Sequence, residues 1–161
     1  MATSSFSGPV VSTNGFITDS GSIVSATAAT LSATRADHSG RTVVLDRAAG
    51  QAVTLPAATG SGNSYKFFVA TTITSNSTTI KVADATDVMA GVAIVANDTD
   101  NSASIFETAS TSDTITFNGS TTGGIKGAMV ELQDVASNLW AVRVVGAATG
   151  TEATPFSATV S

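Results

Sequence analysis

The chain has no cysteine and a single histidine, His38, among its 161 residues. No disulfide can brace the fold, no thiolate can act as a nucleophile, and a zinc site has too few soft ligands to form. Helix formers other than Ala are almost as scarce, with five Leu, three Glu and three Lys, so long helices are not expected. Charged residues make up only 12% of the chain, and the net charge is −5. That balance argues against nucleic acid and against an anionic membrane as partners, because both attract Lys and Arg. No run approaches the ~18 consecutive apolar residues of a membrane-spanning helix. The opening stretch, Met1 to Ser7, lacks the basic and apolar regions of a secretory signal.

What the chain does contain points one way. Thr (26), Val (17), Ser (21) and Gly (14) are abundant, which is the mixture of β-branched strand formers and turn residues expected of many short strands. Thr42 to Leu45 and Ala52 to Leu55 read as strands around the Gly-containing loop 46–51, and Tyr65 to Val69 follows a Gly/Ser/Asn loop. Alternation puts Tyr65, Phe67 and Val69 on one face and Lys66 and Phe68 on the other, so both faces of that strand are expected to be partly covered. Thr71 to Thr74 and Thr78 to Val82 read as a second hairpin around Ser75-Asn76-Ser77. Val88 to Ala96, Ser104 to Thr108 and Thr114 to Phe117 follow as further strands. Ala128 to Val135 and Leu139 to Val145 form the clearest hairpin, with Trp140, Val142 and Val144 sharing a face. Only Asp84 to Ala90 invites a single helical turn. The fold class expected is all-β, a compact antiparallel β-sandwich or barrel of jelly-roll type. The tail, Gly146 to Ser161, reads as a final strand or a second contact arm.

The first 34 residues differ. They carry one charge, Asp19, and no sustained period, and turn signals at Gly8-Pro9, Asn14-Gly15 and Ser20-Gly21 interrupt them. One reading is edge strands of the same domain or a disordered terminus. The other, favoured by two aromatics on a segment with a single charge, is a docking arm over residues 1–34 that precedes a β domain over 35–161.

Candidate chemistry is sparse. His38 beside Ser39-Gly40 reads as a residue of a solvated turn, and no serine lies in a G-x-S-x-G elbow. The nine Asp and three Glu fall mostly in turns, without a pair at a spacing that suggests glycoside hydrolysis. Asn97-Asp98-Thr99-Asp100-Asn101 offers alternate oxygen ligands but lacks the Gly and terminal Glu of a calcium loop. No catalytic, cofactor-binding or metal-binding residue is assigned, and no enzymatic activity is expected.

Ser7-Gly8-Pro9-Val10-Val11-Ser12-Thr13-Asn14-Gly15-Phe16 resembles the opening of tailed-phage virion proteins, especially those of marine phages. Val53-Thr54-Leu55-Pro56-Ala57-Ala58-Thr59-Gly60-Ser61-Gly62, Asp113 to Gly119, and Val130-Glu131-Leu132 to Trp140-Ala141-Val142 look like recurrent parts of the same group. The family so implied is the capsid decoration, or cement, proteins. It implies a non-enzymatic module on the outer capsid surface of the virion, assembled in the host bacterial cytoplasm. Its partners would be the major capsid protein and two further copies in a homotrimer. Phe6, Pro9, Val10 and Phe16 are then the expected capsid contacts. Unlike many relatives, the chain does not continue into Gly-rich repeats, which favours a compact module over a fibre. The rival reading is a receptor- or carbohydrate-binding module of a phage head or tail fibre with Trp140 or Tyr65 as a sugar platform. Both residues lie in strand patterns, where core packing explains them better. Because folding is expected to need no metal, thermal unfolding in excess chelator should overlay the untreated curve. A large fall in midpoint would promote Asp98, Asp100 and Asn101 to ligands.

Overall fold

A computed structural model of the chain describes residues 22–160. Two β-sheets pack face to face. The chain contributes β1 (Ile23–Ala26), β2 (Thr30–Ser32), the helical turn α1 (Arg35–His38), β3 (Thr42–Leu45), β4 (Ala52–Thr54), β5 (Ser64–Val69) and β6 (Thr78–Lys81). It continues through β7 (Val88–Ala96), β8 (Ala103–Glu107), β9 (Thr114–Phe117), β10 (Met129–Ala136), β11 (Leu139–Ala147) and β12 (Phe156–Ser157). The larger sheet has the order β1-β3-β5-β10-β11-β7-β8 and the smaller β12-β9-β6-β4-β2.

From β1 to β6 the chain visits the two sheets alternately. β1, β3 and β5 stack in parallel in the larger sheet, and β2, β4 and β6 stack in parallel in the smaller. This half of the fold is therefore a short stack of three rungs, each too small to bury an apolar face alone. The all-β two-sheet expectation holds, but the antiparallel one needs correction. Among the described residues, five of the ten strand ladders are parallel, including β7 against β11.

The reason is that the first two expected hairpins are absent. β3 and β4 lie in opposite sheets, so residues 46–51 form an arch. Thr71 to Thr74, expected as the first strand of the second hairpin, is not a strand; it belongs to a second arch, residues 70–77, which carries the chain from β5 to β6 in the opposite sheet. At the first arch Gly50 takes φ +74°, and a Cβ there would sit 2.6 Å from the Ser77 carbonyl oxygen of the second arch. The buried Gln51 donates from Nε2 to the carbonyls of Ala26 (2.9 Å) and Ala28 (2.7 Å). Its backbone N–H donates to Thr78 Oγ1 at 3.1 Å. One residue, through its side chain and its backbone N–H, thus ties three successive rungs together. The third expected hairpin is present: β10 and β11 pair from Met129↔Val145 to Ala136↔Leu139, with a bulge after Asp134 and Asn138 at φ 62° closing the turn.

Three smaller expectations change. Asp84 to Ala90 is not helical. Asp84 Oδ1 accepts from Thr86 N at 2.9 Å, an Asx turn that leads into β7. The helical turn is instead α1, where Thr34 Oγ1 accepts from Asp37 N at 3.2 Å, the usual N-cap bond. His38, expected in a solvated turn, is buried, and its Nδ1 accepts from Thr34 N at 3.0 Å. The tail resolves to a final strand, with β12 on β9 and Phe156 in the core.

The domain boundary also moves. β1 and β2 fall inside the expected arm, yet each is an edge strand, β1 of the larger sheet and β2 of the smaller, and Ala26 and Ala33 are core residues. Their alternation is too short to register as a period, because each rung contributes only three or four residues. Residues 1–21 and residue 161 lie outside the described part. Gly50→Ala should cost more than about 2 kcal/mol, from the left-handed backbone and the backbone clash with the second arch. Chemical denaturation of the variant beside the wild type measures it.

Candidate functional site

The inner faces of both sheets form one core. Trp140 and Tyr65 meet edge to face, with ring centroids 5.6 Å apart at 69°, and are 0% and 1% exposed. Neither can serve as a sugar platform, so the structure places both aromatics where packing needs them.

The outer faces differ from each other. The smaller sheet turns Thr30, Ser32, Thr54, Thr79, Lys81 and Thr116 outward, a polar face of the kind that water covers. On the larger sheet the register aligns Val44, Phe68, Met129, Val145, Ile94 and Ile105 side by side across six strands. All six point away from the core: Ile105 is 66% exposed, and Met129, Val145 and Ile94 are 38–44% exposed. Two residues further along the strands lies a parallel row, Thr42, Lys66, Glu131, Arg143, Val92 and Glu107. Its charges alternate in sign. Lys66 Nζ lies 2.8 Å from Glu131 Oε1, and this bond, with the charges of Lys66 and then Arg143, holds the Glu131 carboxyl below its ordinary range despite some desolvation. Arg41, Lys66, Glu131, Gln133 and Arg143 line a shallow groove of about 570 Å³ over this row.

The signal for this surface is present in the sequence as broken alternation. Phe67-Phe68, Ile94-Val95, Ile105-Phe106 and Val144-Val145 place apolar residues on both faces of a strand. Phe68 alone suggests coverage of both faces. Strand order is needed to see that four strands repeat it in one row.

Asp134 holds the end of this sheet in shape. It is 2% exposed on β10 and accepts hydrogen bonds from the backbone N–H groups of Thr59, Gly60 and Ser61 at 2.6–3.1 Å. The hydroxyls of Thr59 (3.2 Å) and Ser61 (2.6 Å) donate to it as well. Burial pushes its carboxyl up, but the bonds from Ser61, Gly60 and Thr59 outweigh that and hold it at about 2. Asp87 has one such donor, Ala58 N at 3.0 Å. Desolvation prevails there, and its carboxyl is raised. Both carboxylates are committed to loop 58–61.

The remaining candidates are placed as follows. Phe6, Pro9, Val10 and Phe16 lie outside the described residues. In the loop 97–102, Ser102 N donates to Asp100 Oδ1 at 2.9 Å, Asn97 Nδ2 to Ser102 Oγ at 2.6 Å, and Gly150 N to Asp98 Oδ2 at 3.2 Å. These oxygens are used within the loop and its neighbour. Among the described residues no group of three or more His, Cys, Asp or Glu is arranged to hold a metal ion. No protein-family model, curated protein or solved structure matches the chain.

Asp134→Asn leaves backbone N–H donors facing an amide and should cost about 2–4 kcal/mol. The depressed carboxyl also sets a pH window. Between about pH 4 and pH 2 the unfolded chain binds a proton at Asp134 that the folded chain does not, so this contribution is complete above the window and lost as pH falls through it. Acid titration of stability should show a shallower fall in Asp134→Asn than in wild type across that window.

Proposed function

We propose that this protein is a structural component of a tailed-bacteriophage virion that binds the outer capsid surface and stabilises the shell. The observation that carries the proposal is the Ser7-to-Phe16 string, the segment that resembles phage virion openings. In sequence it precedes, by residues 17–21, Ser22 and β1, the edge strand of the sheet with the apolar outer face. An uncharged segment carrying Phe6, Pro9, Val10 and Phe16 can bury against a partner without unpaired ions and can extend a sheet by strand addition. Many copies on one shell let each contact be modest, since avidity multiplies them. A homotrimer at a local three-fold axis is the assembly that the family resemblance favours. The buried carboxylates and His38 support a structural role, because each spends its hydrogen bonds on a neighbouring loop or turn.

Removing residues 1–20 should leave every described strand in place, and capture on purified shells should be lost. Removing residues 1–34 should unfold the protein, because β1 and β2 leave with them. Circular dichroism and co-sedimentation with shells read both outcomes. Full capture by the chain lacking residues 1–20 would refute the arm, and capture by neither full chain nor variant would refute the decoration role.

A further inference from the structure

The outer face of the larger sheet is built like a palindrome. Its strands run in the order β3-β5-β10-β11-β7-β8 after the edge strand β1, so the middle of these six falls between β10 and β11. Reversing the order about that line sets each apolar residue opposite another apolar residue: Met129 opposite Val145, Phe68 opposite Ile94, Val44 opposite Ile105. The same reversal in the next row sets Glu131 opposite Arg143, Lys66 opposite Val92, and Thr42 opposite Glu107. Reversal is what a two-fold axis parallel to the strands does when two identical sheets stack face to face. Such an axis makes every contact twice.

We propose that this face pairs with the same face of a second copy of the chain, around a two-fold axis running between β10 and β11. Each Arg143 then meets the partner's Glu131, and that carboxylate keeps its own Lys66, so the charges at the centre of the face stay paired; Glu107, on the edge strand β8, meets the partner's Thr42 at the rim. The Lys66 stem lies over the partner's Val92 while its ammonium stays on Glu131. The six facing strands, each ~4.8 Å wide, and the length from Ala90 to Ala96 give a face of about 29 by 20 Å. Two such footprints together reach about 1,200 Å², the lower end of stable specific interfaces. The contrast with the smaller sheet supports the choice of face. One side of the same sandwich carries hydroxyls and a lysine, and the other carries six apolar side chains in a row that water disfavours. Residues 1–21 are a poorer occupant. They contain one charged residue, Asp19, which cannot answer a row of alternating sign.

This contact is separate from any three-fold contact and does not depend on the capsid reading. Pairing alone gives a dimer, and pairing of trimers gives a hexamer of dihedral symmetry. Sedimentation velocity at micromolar concentration should show an even number of chains. Val145→Arg puts a cation against the partner's Met129 twice per interface and should raise the dissociation constant roughly a hundredfold or more, halving the mass. The outward position of Val145 leaves the core intact, which an unchanged circular dichroism spectrum would show. Thr79→Arg, on the smaller sheet, should leave the mass unchanged. The absence of native cysteine permits a second test that needs no disruption: Val145→Cys should give covalent pairs with a short bismaleimide, and Thr79→Cys should not. A wild-type monomer, which coverage by residues 1–21 would produce, overturns the proposal, and so does a trimer. So does a Val145→Arg variant that keeps the wild-type mass, whether or not it loses capture on shells; loss of capture would assign the face to the shell. Shell capture by a paired wild type, measured separately, decides the decoration role.

Discussion

Every rung of the first half of this protein depends on the chain crossing from one sheet to the other. Strands of three or four residues gain too little from a ladder to stand alone, and an isolated pair is marginal in water. Here each strand buries one face against the opposite sheet, and the next strand in sequence supplies that opposite face. Burial of Val43, Phe67, Val53 and Ile80 is therefore a property of neighbouring rungs together. The crossings must be held in register, and Gln51 does so by bonding one rung's carbonyls with its side chain and another rung's hydroxyl with its backbone.

Buried carboxylates do the corresponding work in the second half. Asp134 gathers loop 59–61, Asp87 anchors Ala58, and Asp113 accepts from Thr159 N at 2.8 Å and Val160 N at 3.2 Å to fix the tail. A cysteine-free chain whose described residues hold one short helical turn has few other ways to pin long connections. An ionised acceptor that collects several backbone donors is a strong one, because each bond to the charged group exceeds a neutral bond. The same commitment leaves these groups poorly placed for chemistry on a substrate.

The two outer faces then set what the protein can do. A polar face and an apolar face on one sandwich give the molecule a direction, and the apolar face carries charges of both signs in a fixed order. Such a surface suits a partner of defined shape and charge more than a small ligand, in keeping with the building-block role proposed.

Much of this was readable in the residues alone. The all-β class followed from the Val, Thr, Ser and Gly content, and the β10–β11 hairpin from its alternation around Ala136-Ser137-Asn138. The inward set Tyr65, Phe67, Trp140, Val142 and Val144 followed from the period of 2. The same period placed Phe68 on the outer side of β5. The tertiary structure alone decided which strands are partners. An arch and a hairpin share the same signature, two alternating runs around a Gly-containing loop, and differ only in whether the second run returns beside the first or crosses to the other sheet. Parallel pairing of β1, β3 and β5 joins residues some twenty positions apart, and no local signal reports it. The apolar row has the same origin. Val145, Ile94 and Ile105 are each unremarked in their own strands, and they become one surface only because β11, β7 and β8 are neighbours in register.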